Sequence, residues 1–362
     1  MLPRAFMLAA PVDLPSAYRE IVKCCALVAA RPSAAPFMRM YMDHLIGVSI
    51  VNYKTPHLVA ECLQSLAEEH DYVGRLKVVV VDNASGDGSY EKISNFVQEQ
   101  QLTAWVDVVD AGRNGGYSFG NNIAFRRLLE QGCDLIWLLN PDTLVRPGAT
   151  RALVECLDSD PLIGIAGSRL EDHDGTPQVS AFNFPSPATE LINTSKIGLL
   201  GRAFPSAVIP RVINSVREIV DWVAGASMML KADVLRQVGL MDENYFLYYE
   251  EVDFCRAVTR AGFRIVYEPA SRVIHHVGAS TGISETRKQA PRRPTYWFES
   301  RQRYFQKNFG FAATLLADFF WLIAYSSLRV RAKLQGKNLL DPPYFIRDFV
   351  RNSSFVRGRS VK

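Results

Sequence analysis

An apolar run that stops at a carboxylate, Leu135-Ile136-Trp137-Leu138-Leu139-Asn140-Pro141-Asp142, is the feature best suited to hold a charged ligand. Residues 135–139 have the length and apolarity of a strand buried on both faces, in the middle of a parallel sheet. Pro141 has no N–H and ends the ladder. Asp142 then stands just past the carboxyl end of a central strand, where open α/β sheets bind ligands. A hard carboxylate there suits a divalent cation holding a diphosphate, although Asn-Pro-Asp also makes an ordinary turn. Two further clusters carry titratable groups. Glu250-Glu251-Val252-Asp253 opens a helical pattern, where acids also suit the helix dipole. His275-His276 closes an apolar strand.

The elements that must position these residues alternate in type. Strands are expected at 46–51, 76–81, 105–109, 135–139 and 163–168, with helices after Thr55-Pro56, around Ile93-Phe96-Val97 and around Phe119-Ile123-Leu128. Polar punctuation follows the strands: Asn52-Tyr53-Lys54, then Asp82-Asn83-Ala84-Ser85-Gly86-Asp87-Gly88, then Gly112-Arg113-Asn114-Gly115-Gly116. This alternation spells a mostly parallel, doubly wound sheet. The dinucleotide fingerprint is missing after the first strand, which argues against a nicotinamide enzyme. Residues 169–221 are proline-rich and read as an irregular segment over the open face. An apolar run follows at 222–230, with a helix at 232–238, a helix from Glu250 to about Ala261, and strands at 264–267 and 272–276.

Composition adds a charge asymmetry. Residues 287–362 hold 16 Lys and Arg against 4 Asp and Glu, a balance of +12, while the remainder of the chain stands at −8. An acidic body with a basic tail suggests an anionic surface as partner. Phe309–Leu328 carries only Asp318 as a charge and has the length to span a bilayer. A central Asp costs roughly 2.5–3.5 kcal/mol on insertion scales, so a helix lying in the interface is favoured over a spanning one. Packing on the body is the competing reading. Residues 1–43 read as an N-terminal extension, disordered or upstream of the true start. The six cysteines form no Cys-x-x-Cys pair and read as reduced thiols of a cytosolic protein.

In this order, the motifs resemble those of the family 2 glycosyltransferases of the GT-A fold, and among them the rhamnosyltransferase-like bacterial enzymes. The resemblance rests on Val48-Ser49-Ile50-Val51-Asn52-Tyr53, the 81–88 and 112–116 loops, Asn140-Pro141-Asp142, Glu250-Glu251-Val252-Asp253 and His275-His276-Val277-Gly278. It implies a GT-A (Rossmann-like) catalytic domain over 44–283, a linker over 284–296 and a basic, apolar, membrane-associating helical region over 297–362. Asp82 is implied to bind the nucleotide base, with Asn52, Tyr53 and Asn83 around it. Asn114 and Gly115 would approach the ribose or diphosphate, and Asn140 also belongs to the donor side. Asp142 and His276 would hold Mg²⁺ or Mn²⁺, with His275 the lesser choice. Glu251 is implied as catalytic base, with Glu250 and Asp253 in the same cluster. Two departures stand out: Asn140 replaces the first acid of the metal motif, and Glu251 stands where an Asp is common.

The implied activity is metal-assisted, inverting transfer of a sugar, rhamnose among the candidates. The donor would be a nucleoside-diphosphate-sugar and the acceptor a glycan or lipid-linked molecule of the cell envelope. The implied place is the cytoplasmic face of the membrane, with no nucleic-acid partner. Breaking a sugar–diphosphate bond leaves negative charge that a cation stabilises, and the acceptor hydroxyl needs a base. One base and no nucleophile means direct displacement. A nucleotide-sugar-binding protein without turnover, or a membrane-attached scaffold, would carry many of the same features.

Overall fold

The computed structural model describes residues 44–73, 75–212, 215–276 and 291–359. The expected extension 1–43, Val277-Gly278 and the first part of the expected linker lie outside the described residues. The first half alternates as β1 (Ile46–Asn52), α1 (Pro56–Val73), β2 (Leu76–Asp82), α2 (Ser89–Glu99), β3 (Val106–Asp110), α3 (Tyr117–Glu130) and β4 (Leu135–Leu139). β1, β2, β3 and β4 run parallel, and the last residues of β1 and β2, Asn52 and Asp82, are register partners. Every residue of β1 and β4 is buried, as continuous apolar strands covered on both faces must be. The Trp137 indole, wholly buried on β4, donates to Ser227 Oγ at 3.0 Å.

The chain continues through β5 (Thr143–Val145), α4 (Ala149–Asp158), β6 (Ile163–Glu171) and β7 (Ala181–Phe182). α5 (Pro187–Ser195), α6 (Gly198–Ala203), β8 (Glu218–Val220), β9 (Trp222–Val223) and β10 (Ser227–Lys231) follow. The segment expected to be irregular thus contains two helices and short strands. Ser186 and Thr189 form a capping box with Pro187 at the start of α5, the arrangement that starts a helix from within a proline-rich stretch. The main sheet runs β3-β2-β1-β4-β10-β6-β11-β5, with β8 beside β11, which spans Arg264–His275. β10 is antiparallel to both β4 and β6. The central strand β4 therefore has a parallel neighbour on one edge only, a distinction that an apolar run cannot carry because both kinds of neighbour bury it.

The two strands expected at 264–267 and 272–276 are one strand with a register shift between Glu268 and Arg272. Pro269 supplies no ladder N–H at the shift. Beyond it β11 pairs with β5, setting His275 opposite Thr143, and His276 N donates to Asp142 O at 2.9 Å. Behind this junction the buried Glu69 of α1 accepts from Gly148 N at 2.7 Å and Thr150 N at 3.0 Å, a carboxylate at the start of α4.

After α7 (Ala232–Val238) and α8 (Glu250–Arg260), the chain closes with α9 (Thr295–Phe309), α10 (Phe311–Leu334), α11 (Phe345–Asn352) and α12 (Ser354–Arg357). Tyr304 and Phe305 of α9 and Ala317 of α10 share a core with Tyr245 and Val252 of the body. Thr314, Ala317, Asp318, Trp321, Ala324 and Tyr325 form the buried face of α10, at the spacing of one helical stripe. Asp318, the single charge of the apolar segment, is 1% exposed and bonds Arg301 of α9 at 2.5 Å, while Ser354 N donates to its other oxygen at 2.8 Å. Arg301 also meets Glu190 of α5 at 3.2 Å. The opposite face leaves Leu316, Phe319, Ile323 and Val330 exposed.

Because Arg301 would lose a buried counter-charge, Asp318→Ala is expected to cost about 3–5 kcal/mol of stability. Ile323→Ser on the exposed face should change stability by no more than about 0.5 kcal/mol. Urea unfolding of the two variants beside the parent checks both; equal small effects would show that the buried pair does not hold the helix.

Candidate active site

The carboxyl ends of β1 and β2 build a buried polar corner. Asn52 Nδ2 donates to Asp82 Oδ1 at 2.6 Å, and Ser85 Oγ donates to the same oxygen at 2.6 Å. Ser85 N reaches Asp82 Oδ2 at 3.0 Å. Asn52 Oδ1 accepts from both the N–H and the hydroxyl of Thr55, so the residue expected to cap α1 spends its hydroxyl on the strand end. Tyr53 lies at the lip of this corner, 43% exposed, with Lys54 Nζ over its ring.

Asn83 continues the corner toward the glycine loop. Its Nδ2 donates to Asn114 Oδ1 at 3.1 Å and to Gly116 O at 3.0 Å, while its buried Oδ1 has no hydrogen-bond partner among the described residues. The glycines are sterically required. A Cβ on Gly115 would stand 2.4 Å from the Phe119 ring, and one on Gly116, at φ +87°, would stand 2.1 Å from Phe246 O. That close approach lets Tyr117 N donate to Phe246 O at 2.8 Å, seating the 242–249 loop over the cleft.

Past β4, the Asn140 amide oxygen accepts from the Tyr117 hydroxyl at 2.9 Å, and the same hydroxyl reaches Gly225 O at 3.0 Å. Burial first, then Glu250, Glu251 and Asp142, push the Tyr117 phenol far above its ordinary range. A neutral amide at 140 thus adds no further charge to an already acidic pocket. Asp142 is 1% exposed, and His275 Nε2 stands 3.8 Å from its Oδ1. The other ring nitrogen of His275 is fixed by Gln178 Oε1 at 3.1 Å, and Gln178 itself donates to Asp172 and His275 O. Burial holds His275 below its ordinary pKa, which favours the neutral, ligating form. His276 packs its ring edge on His173, and its buried Nε2 has no hydrogen-bond partner among the described residues.

These side chains fit a divalent cation as a partial cage. They offer a buried carboxylate, a nitrogen left without a partner, and an imidazole oriented from behind. No group of three His, Cys, Asp or Glu suited to a metal occurs among the described residues. A cation here would need oxygens from a ligand, as ions that bridge diphosphates usually do. The resemblance points to His276 ahead of His275; both meet Asp142, His275 with its ring at 3.8 Å and His276 with its backbone N–H.

Across the cleft, Tyr248 and Tyr249 both adopt left-handed backbone, φ 73° and 70°, immediately before Glu250. Two consecutive tyrosines in this region carry strain. Glu250 is 5% exposed, and Oε2 of both Glu250 and Glu251 is buried without a hydrogen-bond partner among the described residues. Gly225 lies beside Glu251, whose Cβ would be in ordinary contact, 3.5 Å, with a Cβ there. Burial raises both carboxyls, and for Glu250 the neighbouring Glu251 raises it further. Asp253 is held differently: its oxygens accept from Lys307 Nζ at 2.5 Å and Asn308 Nδ2 at 2.8 Å, tying α8 to α9.

Sequence reasoning did not find the groups that brace this helix. Lys307 also bonds Asp242 at 2.9 Å, and Arg303 grips the same carboxylate at 2.7 Å. Despite burial, the hydrogen bonds from Lys307, Asn244 and Arg303 hold Asp242 well below the usual carboxylate range. The available signal was the Arg303–Lys307 spacing, which puts both cations on one face of a helix. Tyr117 as the bridge between Asn140 and Gly225 had no signal at all, since the three are far apart in sequence.

A family model described as "Glycosyltransferase like family 2" matches residues 44–305. An N-acetylglucosaminyl-diphospho-decaprenol L-rhamnosyltransferase of Mycobacterium tuberculosis is 30% identical over 256 residues, covering 67% of this chain and 79% of the relative. A rhamnosyltransferase of Escherichia coli K12 is 26% identical over 221 residues, covering 57% of this chain and 79% of its own. Among solved structures, a mannosyltransferase from Pyrobaculum calidifontis in complex with GDP-Man and Mn²⁺ superposes with a TM-score of 0.52 at 16% identity, over 91% of this chain and 98% of that one. With the GT-A arrangement of the sheet and a match over most of its length, the chain belongs to the family 2 glycosyltransferases and is a glycosyl-transferring enzyme.

Proposed function

We propose that the chain transfers a sugar, with rhamnose the leading candidate, from a nucleoside-diphosphate donor to a lipid-linked glycan acceptor, with inversion. The observation that carries this reading is the meeting at one sheet edge of three unlike groups. They are the polar corner of Asn52, Asp82, Asn83 and Asn114, the Asp142–His275–His276 cluster, and the two acids Glu250 and Glu251, in no ion pair among the described residues. The activities of the two relatives support rhamnose, and that of the Mycobacterium tuberculosis enzyme a diphospho-lipid acceptor.

In this reading Asp82, Asn52 and Asn83 seat the nucleotide, with Tyr53 at the lip, and the Asn114-Gly115 backbone lies along the diphosphate. Asp142 and His276, with His275, would hold Mg²⁺ or Mn²⁺, and a bound cation supplies Lewis-acid stabilisation of the departing diphosphate. Glu251 takes the proton of the acceptor hydroxyl. The acceptor oxygen forms its bond to the anomeric carbon as the bond to the diphosphate oxygen breaks, and the nucleoside diphosphate leaves with that electron pair. One displacement inverts the anomeric centre. Asp253 anchors the helix through Lys307 and takes no proton. The exposed stripe Leu316, Phe319, Ile323 and Val330 of α10, flanked by Arg329, Lys333 and Lys337, rests on the cytoplasmic leaflet of the membrane. α10 is long and apolar enough to cross a bilayer, but its other face is occupied by the body, which favours lying in the interface.

Glu251→Gln should keep donor affinity while transfer falls by roughly 10²–10⁴; a larger loss in Glu250→Gln than in Glu251→Gln would move the base by one residue. Asp142→Ala, and EDTA on the parent, should each remove turnover, and full activity in EDTA would refute the cation.

The acids also set opposite pH trends. Their folded pKa values lie above the ordinary 4.5, so above about that pH the unfolded chain loses protons that the folded chain keeps. Stability of the ligand-free enzyme should therefore fall as pH rises through this window, while kcat/KM rises as the base ionises. Thermal melts should show the decline in the parent and a flatter profile in Glu250→Gln; a parent melting point that climbs over the same range would contradict the sign.

Phe319→Ser with Ile323→Ser should reduce sedimentation with anionic liposomes without lowering solubility. Unchanged sedimentation would free this face of any membrane role.

A further inference from the structure

An open cavity of about 470 Å³ is formed by residues 292–294 and the start of α9 with α11 and α12, within the roughly 300–1,000 Å³ of ordinary small-molecule clefts. Four arginines line it, Arg292, Arg293, Arg351 and Arg357, against one acid, Asp348. Asp348 is taken up by Arg292, which grips it through two bonds at 2.7 and 2.8 Å. Arg357 is partly balanced by Glu299 at 2.8 Å. Arg351 is exposed, and Arg293 keeps a buried Nε with no hydrogen-bond partner among the described residues. A concave site with surplus guanidinium groups is built for an anion with several oxygens, such as a phosphate or diphosphate.

Two further observations narrow the ligand. Exposed apolar side chains stand directly beside the cavity's arginines in the chain: Val350 before Arg351, and Phe355-Val356 before Arg357. Exposed apolar side chains next in sequence to cationic ones suit an amphiphile better than a soluble anion. The cavity also adjoins the catalytic side of the molecule. Tyr296 follows the lining residue Thr295 and packs on Phe246 at 5.1 Å and Tyr248 at 6.2 Å. Tyr248 belongs to the left-handed pair that presents Glu250 and Glu251. Burial raises the Tyr248 phenol, and Arg293 is near enough to oppose that rise.

We propose that this cavity is the acceptor's anchoring subsite, with Arg293 and Arg351 binding the diphosphate of an isoprenoid-diphosphate-linked acceptor and Val350, Phe355 and Val356 taking its first isoprenoid carbons. This rests on the transferase reading above and adds the place where the acceptor is held. The acceptor's sugar then reaches the base past the Tyr296–Tyr248 wall.

The test measures equilibrium binding of farnesyl diphosphate, farnesol and inorganic diphosphate to the full chain with no donor present. The variants are Arg293→Gln, Arg351→Gln and Phe355→Ser, and retained nucleotide-sugar affinity reports that each is folded. Farnesyl diphosphate should bind more tightly than either fragment. Each arginine change should weaken it about tenfold or more, the usual worth of a charge-assisted contact, and raise KM for a lipid-linked acceptor more than it lowers kcat. Phe355→Ser should weaken farnesyl diphosphate and spare inorganic diphosphate. Inorganic diphosphate binding as tightly as the lipid, or arginine variants that lose phosphatidylglycerol vesicles while keeping farnesyl diphosphate, would overturn the proposal in favour of a free-anion or headgroup site. Since the binding arm uses no donor, failure of the subsite and failure of the transferase reading give different results.

Discussion

Two carboxyls, Glu250 and Glu251, each bury an oxygen that has no hydrogen-bond partner among the described residues, and much of the molecule is arranged to make that tolerable. Isolated buried charge is costly, and the groups respond by holding their protons more strongly. The helix that carries them cannot relax outward. Asp242 and Asp253, before and within it, are gripped by Lys307 and Arg303 from α9. Tyr248 and Tyr249 hold a backbone conformation that only such external bracing sustains. Well-paired charges brace two carboxyls whose Oε2 atoms have no hydrogen-bond partner among the described residues.

The second organising junction lies at the opposite lip of the cleft. β4 ends at Asn140, and the bent end of β11 returns to pair with β5. A backbone bond from His276 to Asp142 and a side-chain approach from His275 join residues more than a hundred positions apart. The register shift at 268–272 lets one strand serve both ends of this task, pairing with β8 before the shift and with β5 after it. Asn140 is drawn into the same region through Tyr117, so the Asp142 cluster and the Glu250–Glu251 pair share a hydroxyl as neighbour.

The C-terminal helices have two faces with different obligations. The inner face of α10 completes the core and buries Asp318 against Arg301, while its outer face leaves large apolar side chains in the open. A single hydropathy reading of the segment averages these faces. The basic tail divides in the same way: Arg301, Arg303 and Lys307 brace the body, Arg293 and Arg351 line a cavity, and Arg329, Lys333 and Lys337 flank the exposed stripe.

The sequence by itself determined the alternation of strand and helix up to Leu139 and the placement of polar residues at strand ends, because continuous apolar runs and glycine-rich turns are local properties. It also determined that Asp82, Asn114 and Asp142 fall at or just past strand ends on one sheet edge, since parallel strands bring their carboxyl ends to the same side. Tertiary structure alone decided what those residues face. The antiparallel insertion of β10 beside β4, the single bent β11, the approach of His275 to Asp142, and the capture of Asp253 by Lys307 all depend on pairings between distant segments. No local pattern encodes such a pairing, because each partner's sequence is equally content with another neighbour. The fate of the tail was decided in the same place: length and apolarity describe a helix able to meet a bilayer, and only the position of Arg301 shows that its one acid turns inward.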